Sequence, residues 1–131
     1  MPFDGREFEQ SNLMLEKLDS VIDLLSSEDK WCKYQVRTND GRRCIMGVLI
    51  DVDGAALLAD PILAAARELT GKSHGRVERF NDHRKTDHRL VLAVLRRARE
   101  NLLLGKMTSG RTPTVARRVR TFYAALARLS S

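Results

Sequence analysis

The stretch TDHRLVLAVLRRARENLLLG, residues 86–105, carries the clearest helix signal in the chain. Its apolar residues recur at intervals of three and four, which is typical of an amphipathic helix with one buried face. That face is predicted to contain Leu90, Val91, Val94, Leu95, Ala98 and Leu102. Thr86 is the predicted N-cap, and Gly105 is the predicted C-terminal stop. The stretch therefore predicts a helix that packs on a core.

Helical spacing also appears nearer the N-terminus, between Phe8 and Leu25. Ser11 or Asn12 is expected to cap the main body of this helix, and Asp4 with Glu7 is an alternative cap one turn earlier. One face is predicted to carry Met14, Leu18, Val21, Ile22 and Leu25.

The central part of the chain predicts shorter helices. The run from Cys44 to Ile50 is continuously apolar, and periodicity alone does not separate a strand from a helix there. We favour a buried helix that starts near Arg43, because no strong strand is available to pair with it. Asp60-Pro61 predicts the start of a helix that ends at Gly71. One or two helical turns are expected over Arg76–Phe80, followed by Asn81-Asp82 in a loop.

Within residues 33–43, Tyr34, Val36 and Thr38 alternate with the polar residues Lys33, Gln35 and Arg37, and Asn39-Asp40-Gly41 is a turn signal. This pattern predicts a short extended arm or β-hairpin. The predicted fold is mainly α: a compact bundle of five or six helices with that arm, in a single domain over residues 1–131. A basic C-terminal helix, residues 106–131, is expected to be appended to the core, because Thr112-Pro113 opens a segment with an apolar stripe.

Composition narrows the class of protein. The chain has 131 residues, of which 43% are hydrophobic and 31% charged, and this suits a globular protein. No run approaches the length of a membrane span and no signal peptide is recognisable, so we expect a cytoplasmic protein with no membrane partner. Cys32 and Cys44 are expected to be free thiols. The three histidines lack metal-ligand spacing, so no metal or cofactor is predicted.

The net charge of +6 is distributed unevenly along the chain. Residues 1–30 contain eight acidic and three basic residues, whereas residues 106–131 contain six basic and no acidic residues. Arginine pairs well with phosphate and carboxylate groups, so the basic end predicts a partner-binding surface. Its members are expected to be Arg96, Arg97, Arg99, Arg111, Arg117, Arg118 and Arg120. The alternative is a solvated face whose arginines pair with the acidic first helix of the same chain.

An ordered set of residues spans most of the chain: Trp31, then Cys44-Ile45-Met46-Gly47, then Phe80-Asn81-Asp82, then Thr86. This pattern resembles a family of small bacterial and phage proteins of unknown function, over roughly residues 12–103. The resemblance implies an all-helical domain and no established activity. It marks Trp31, Cys44, Gly47, Asn81, Asp82 and Thr86 as structural, family-like positions.

The predicted function is a non-enzymatic interaction module that binds an acidic partner, either nucleic acid or an acidic protein surface. The resemblance adds an accessory or host-interaction role in a phage or mobile element. One alternative is a small cysteine-dependent enzyme centred on Cys44, whose position at a helix N-terminus beside Arg42 and Arg43 is typical of a lowered thiol pKa. Another is an inhibitor or subunit that acts only within a larger complex. A helix-turn-helix between Ile62 and Phe80 is a weaker prediction. The sequence leaves the oligomeric state open.

Overall fold

The computed structural model describes residues 5–105, with side-chain environments from Asn12 onward. Over this range the chain forms five α-helices, α1 to α5, and two short 3-10 turns at Glu28–Lys30 and Ala55–Leu58. The α-helices are, in order, Gly5–Leu24, Ile45–Asp51, Ala59–Thr70, Val77–Asp82 and His88–Leu103. The prediction of a mainly helical fold is therefore confirmed for the described residues. The predicted C-terminal helix, residues 106–131, lies outside them.

Helix α5 packs against α3 and α1 and forms the middle of the core. Five of the six residues predicted for its apolar face are buried, and Leu90 is partly buried. The prediction that Thr86 caps the helix is wrong. The N-cap is Asp87, whose carboxylate accepts a hydrogen bond from the Leu90 N–H at 2.9 Å. Thr86, one position earlier, is buried. The exposed Asp87 therefore accepts the hydrogen bond from the first turn, whose amides have no partner within the helix.

Helix α1 buries Leu18 and Val21 completely, and Leu25, directly after its last residue, is also fully buried, as the spacing predicts. Because the helix begins at Gly5, Ser11 and Asn12 lie inside it and do not cap it. Asp4, the other predicted cap, lies outside the described residues.

Two predicted boundaries in the middle of the chain shift. The N-cap of α3 is Leu58, so Asp60 lies in the first turn, where its negative charge favours the helix N-terminus. The end of α3 at Gly71 is confirmed, and this glycine has a φ of 75°. Helix α4 continues through Asn81 and Asp82, so the predicted loop position of this pair is wrong. Six residues separate α3 from α4, too many for the tight turn of about three or four residues in a helix-turn-helix.

No β-hairpin forms at residues 33–43 in the described structure, and that part of the prediction is wrong. Two isolated bridges, Trp31 to Arg43 and Arg37 to Arg43, are present instead. Tyr34 has a φ of 69°, in the left-handed region, which interrupts the extended conformation that a paired strand needs. The segment is an arm laid across α2, where the Cys44 N–H donates to the Val36 carbonyl at 3.1 Å.

Asp51, the last residue of α2, holds this arm in place. Its two carboxylate oxygens bind Arg37 at 2.7 Å and Arg43 at 2.6 Å. The two guanidinium groups hold the pKa of the Asp51 carboxyl below its usual value, with the Arg37 hydrogen bond as the largest cause. In the described residues, no helix combines the length and the apolar character needed to cross a membrane.

Candidate functional site

Asn81 lies at the centre of the family-like residues and has no exposed surface. Its Oδ1 accepts hydrogen bonds from the Trp31 indole N–H at 2.7 Å and from the Ile45 backbone N–H at 3.1 Å. Its Nδ2 donates to the Cys32 carbonyl at 3.1 Å and to Asp82 Oδ1 at 2.9 Å. One amide therefore joins α4 to the start of α2 and to the beginning of the arm, with both donors and both acceptor positions in use.

Asp82 extends this network outward. Its Oδ1 also accepts a hydrogen bond from the Tyr34 backbone N–H at 2.8 Å, at the position where the arm has positive φ. Next to it, Lys33 Nζ donates to the carbonyl of His83 at 2.8 Å. The C-terminal end of α4 is thus fixed to the arm on both sides.

Cys44 is the N-cap of α2, and its Sγ accepts a hydrogen bond from the Gly47 N–H at 3.3 Å. Cys44 and Cys32 are both buried free thiols. Burial raises the pKa of each thiol, and the charge of Asp82 raises both pKa values further. A nucleophilic cysteine needs the opposite shift. The surroundings of Cys44 therefore favour the neutral thiol.

Gly47 lies on the face of α2 that the arm crosses. A Cβ added at this position would collide with the Val36 carbonyl oxygen and would lie 3.3 Å from Arg43 Cβ. Glycine is therefore required by the close approach of two backbones. Thr86 completes the family-like set; it is 3% exposed, and its backbone N–H donates to the His83 carbonyl at 2.9 Å. These positions act together in holding the fold.

The arginines predicted to bind a partner are not gathered into one free surface. Arg97 binds Glu68 at 2.6 Å and Glu100 at 3.2 Å, and Arg99 binds Asp19 of α1 at 2.6 Å. These carboxylates raise the pKa of both guanidinium groups. Arg96 is exposed, and no ion pair links it to another described residue. The remaining four, Arg111, Arg117, Arg118 and Arg120, lie outside the described residues.

A pocket of about 440 Å³ opens beside α4 and the loop that precedes it. Its lining residues are polar or charged: Ser73, His74, Glu78, Arg79, Asp82 and His83. The pocket is not predictable from the sequence pattern, because its residues come from a loop and from a short helix. One signal was present in the sequence: half of the fourteen residues from Lys72 to Lys85 are Lys, Arg or His.

Five cations lie in the pocket or close enough to His83 to act on its charge, and we call them the basic rim: Arg79, which lines the pocket, and Lys33, Lys72, Arg84 and Lys85. Within the described range, none of the five forms an ion pair with a carboxylate. The two acidic residues of the pocket are already engaged, since Glu78 lies 3.8 Å from Arg76 and Asp82 accepts the bonds described above. Burial and then four rim charges, those of Lys72, Arg84, Lys85 and Lys33, lower the pKa of His83. The five cations outnumber these two carboxylates, so the potential at His83 is positive even with a neutral imidazole.

His83 and His74 face one another in this pocket, with ring centroids 5.5 Å apart. Burial is the main cause that lowers the pKa of His74, and the charge of His83 contributes. His83 Nδ1 accepts the Lys85 backbone N–H at 3.1 Å, and its Nε2 lies 3.4 Å from Lys72 Nζ. His74 Nδ1 is buried and has no hydrogen-bond partner in the structure. No group of three or more residues suited to binding a metal ion occurs among residues with described side chains.

The described residues form a small, mainly helical domain in which one buried asparagine, Asn81, joins several elements. An electropositive pocket lies beside this asparagine. The chain belongs to DUF6197, a family of unknown function, whose family model matches residues 10–101. The resemblance to a family of unknown function is thereby confirmed, while the bacterial or phage origin stays a prediction. No curated protein and no solved structure matches the chain.

Proposed function

We propose that this protein is a non-enzymatic interaction module that binds an acidic macromolecule through its basic rim. The observation that carries the proposal is the gathering of five cations without ion-pair partners on one side of the described structure. Such a surface attracts anions over several ångströms and speeds their encounter. The sequence already predicts an acidic partner. The surface proposed to bind it, the basic rim, differs from the arginine surface predicted from the sequence.

The rim supports this role better than the arginines predicted first. Arg97 and Arg99 already neutralise Glu68 and Asp19, so a partner would have to compete with ion pairs at 2.6 Å. The rim cations need no such exchange. Arg96, Arg111, Arg117, Arg118 and Arg120 stay predictions, and residues 106–131 add six basic residues to the same chain.

The cysteine-dependent enzyme has less support. Cys44 is 4% exposed, its Sγ caps α2, and burial raises the pKa of its thiol. Each of these observations favours a structural thiol. A role as an inhibitor or subunit of a larger complex is a form of the interaction module. A role in a phage or mobile element rests on the family resemblance alone.

A binding assay with matched variants tests the proposal. Fluorescence anisotropy of labelled duplex DNA, single-stranded DNA and poly-L-glutamate is measured against the full chain at low salt. The rim variant Lys72→Gln/Arg84→Gln/Lys85→Gln removes three of the five rim charges. The control Lys30→Gln/Arg67→Gln/Arg89→Gln removes the same charge from exposed positions that form no ion pair in the described structure.

We expect the rim variant to bind at least about tenfold more weakly than the control, because several charge-assisted contacts are lost together. Equal affinity of the two variants, or no binding of any acidic polymer by the parent chain, would refute the proposal. Circular dichroism of each variant checks that the helices are intact.

A further inference from the structure

His83 lies between two hydrogen-bond donors. The backbone N–H of Lys85 points to Nδ1 at 3.1 Å, and the Lys72 ammonium lies 3.4 Å from Nε2. A neutral imidazole has only one nitrogen that accepts a hydrogen bond, and a protonated imidazole has none. His83 therefore cannot satisfy both donors.

The backbone contact decides which nitrogen carries the proton. An amide N–H is always a donor and its position is fixed by the chain, whereas the contact of the exposed Lys72 ammonium is longer, at 3.4 Å against 3.1 Å. Nδ1 of His83 is thus the acceptor and Nε2 carries the hydrogen. The result is an N–H of His83 and an ammonium of Lys72 that lie side by side, and no residue between 12 and 105 supplies a hydrogen-bond acceptor to either.

One oxyanion accepts hydrogen bonds from both of these donors and removes the conflict. Water can do the same, but the positive field of Lys33, Arg84 and Lys85 favours a charged acceptor. The opposing charges are Glu78 and Asp82, which also line the pocket. Asp82 is turned to the arm by its bonds to Tyr34 and Asn81, and Glu78 lies near Arg76.

We infer that Lys72 Nζ and His83 Nε2–H form a subsite for a phosphate group, and that the acidic macromolecule is a nucleic acid. The inference rests on the proposed function and assigns its ligand chemistry. A tetrahedral phosphate presents oxygens in several directions, so one oxygen takes the Lys72–His83 pair while others face the remaining rim cations. A carboxylate has two oxygens in one plane and engages fewer of these groups at once.

The test follows the histidine resonances of the ¹⁵N-labelled full chain by NMR during addition of inorganic phosphate. Sodium chloride at equal ionic strength is the reference titration. We expect saturable shifts of the His83 ring resonances with phosphate alone, and a ring pattern that shows hydrogen on Nε2. Lys72→Met is expected to weaken phosphate binding at least about fivefold, while the control Lys30→Met leaves it unchanged.

Absence of a saturable His83 shift, an equal response to chloride, or an unchanged response in Lys72→Met would overturn the subsite. The subsite would also be overturned if poly-L-glutamate and inorganic pyrophosphate, added at equal total charge, competed with DNA equally well. If the subsite fails while the rim variant still loses DNA binding, the proposed function stands without it. If the rim variant matches its control, the proposed function fails independently of the phosphate titration.

Discussion

Asn81 is the residue on which the described fold depends most. Its four hydrogen bonds satisfy, among others, an indole N–H, a helix N-terminal amide and a carbonyl. All three groups are withdrawn from solvent, so water does not bind them. Buried groups that lose their partner carry the full cost of desolvation, about 1–3 kcal/mol each. One network therefore needs a tryptophan, an asparagine and a helix start at fixed positions in space.

Replacement of Asn81 by alanine is expected to lower the free energy of unfolding by about 3 kcal/mol or more, since several buried groups lose a partner together. Urea denaturation followed by circular dichroism measures this change. Asn39→Ala, in the exposed turn of the arm, is the matched control and should change stability by less than about 0.5 kcal/mol. A small effect at Asn81 would show that the network does not hold the fold.

The two cysteines give a separate test at the residue scale. Because Cys32 and Cys44 are buried and burial raises the pKa of both thiols, neither should react with a thiol reagent in the folded protein at neutral pH. We expect labelling, followed by mass spectrometry, to begin only in denaturant. Rapid labelling of Cys44 in the folded chain would contradict a structural role and revive the enzyme hypothesis.

At the scale of elements, the arm and α2 form a unit that neither could form alone. Gly47 allows the arm backbone to lie on the helix, and Asp51 anchors two arginines of the arm. Alternation of apolar and polar residues predicted an extended arm or a β-hairpin here, and the described structure forms no strand in this segment. The same alternation could not show that Tyr34 turns to positive φ and that the segment pairs with a helix start in place of a second strand.

Gly47→Ala tests the contact between the arm and α2, because the contact determines whether the substitution raises or lowers stability. Alanine in place of glycine inside a helix normally stabilises it by about 1 kcal/mol. Here the added methyl group meets the Val36 carbonyl, so we expect destabilisation of about 1–3 kcal/mol. Hydrogen exchange of the Cys44 amide, which donates to Val36, should accelerate at the same time. A stabilised variant with unchanged exchange would contradict the described approach of the arm.

Helix positions were predictable to the extent that they depend on periodicity. The apolar faces of α1 and α5 could be identified because burial repeats every three or four residues. The caps were harder to identify, because several polar residues compete at each start and burial selects among them. For this reason the N-cap of α5 is Asp87 and not Thr86. The N-cap of α3 is Leu58, where Asp60 was expected.

At the scale of the whole molecule, the charge gradient along the sequence is one of two features of the charge distribution in the described structure. Part of it is neutralised internally, since Arg99 on α5 binds Asp19 on the acidic α1. This pairing is the alternative that the sequence left open. A second feature is a cluster of cations around His83, outside the two charged ends of the sequence, where Lys33 and His83, about fifty positions apart, meet. A contact over that separation leaves no periodic trace in a sequence, so the pocket could not have been predicted from it.

The salt dependence of DNA binding tests the central claim most directly. The slope of log affinity against log salt, measured between about 50 and about 200 mM, counts the phosphate contacts that a protein makes. For the rim variant Lys72→Gln/Arg84→Gln/Lys85→Gln, we expect a slope smaller in magnitude by about two to three than for the parent chain. A rim variant whose slope and affinity equal those of the parent chain would contradict the claim.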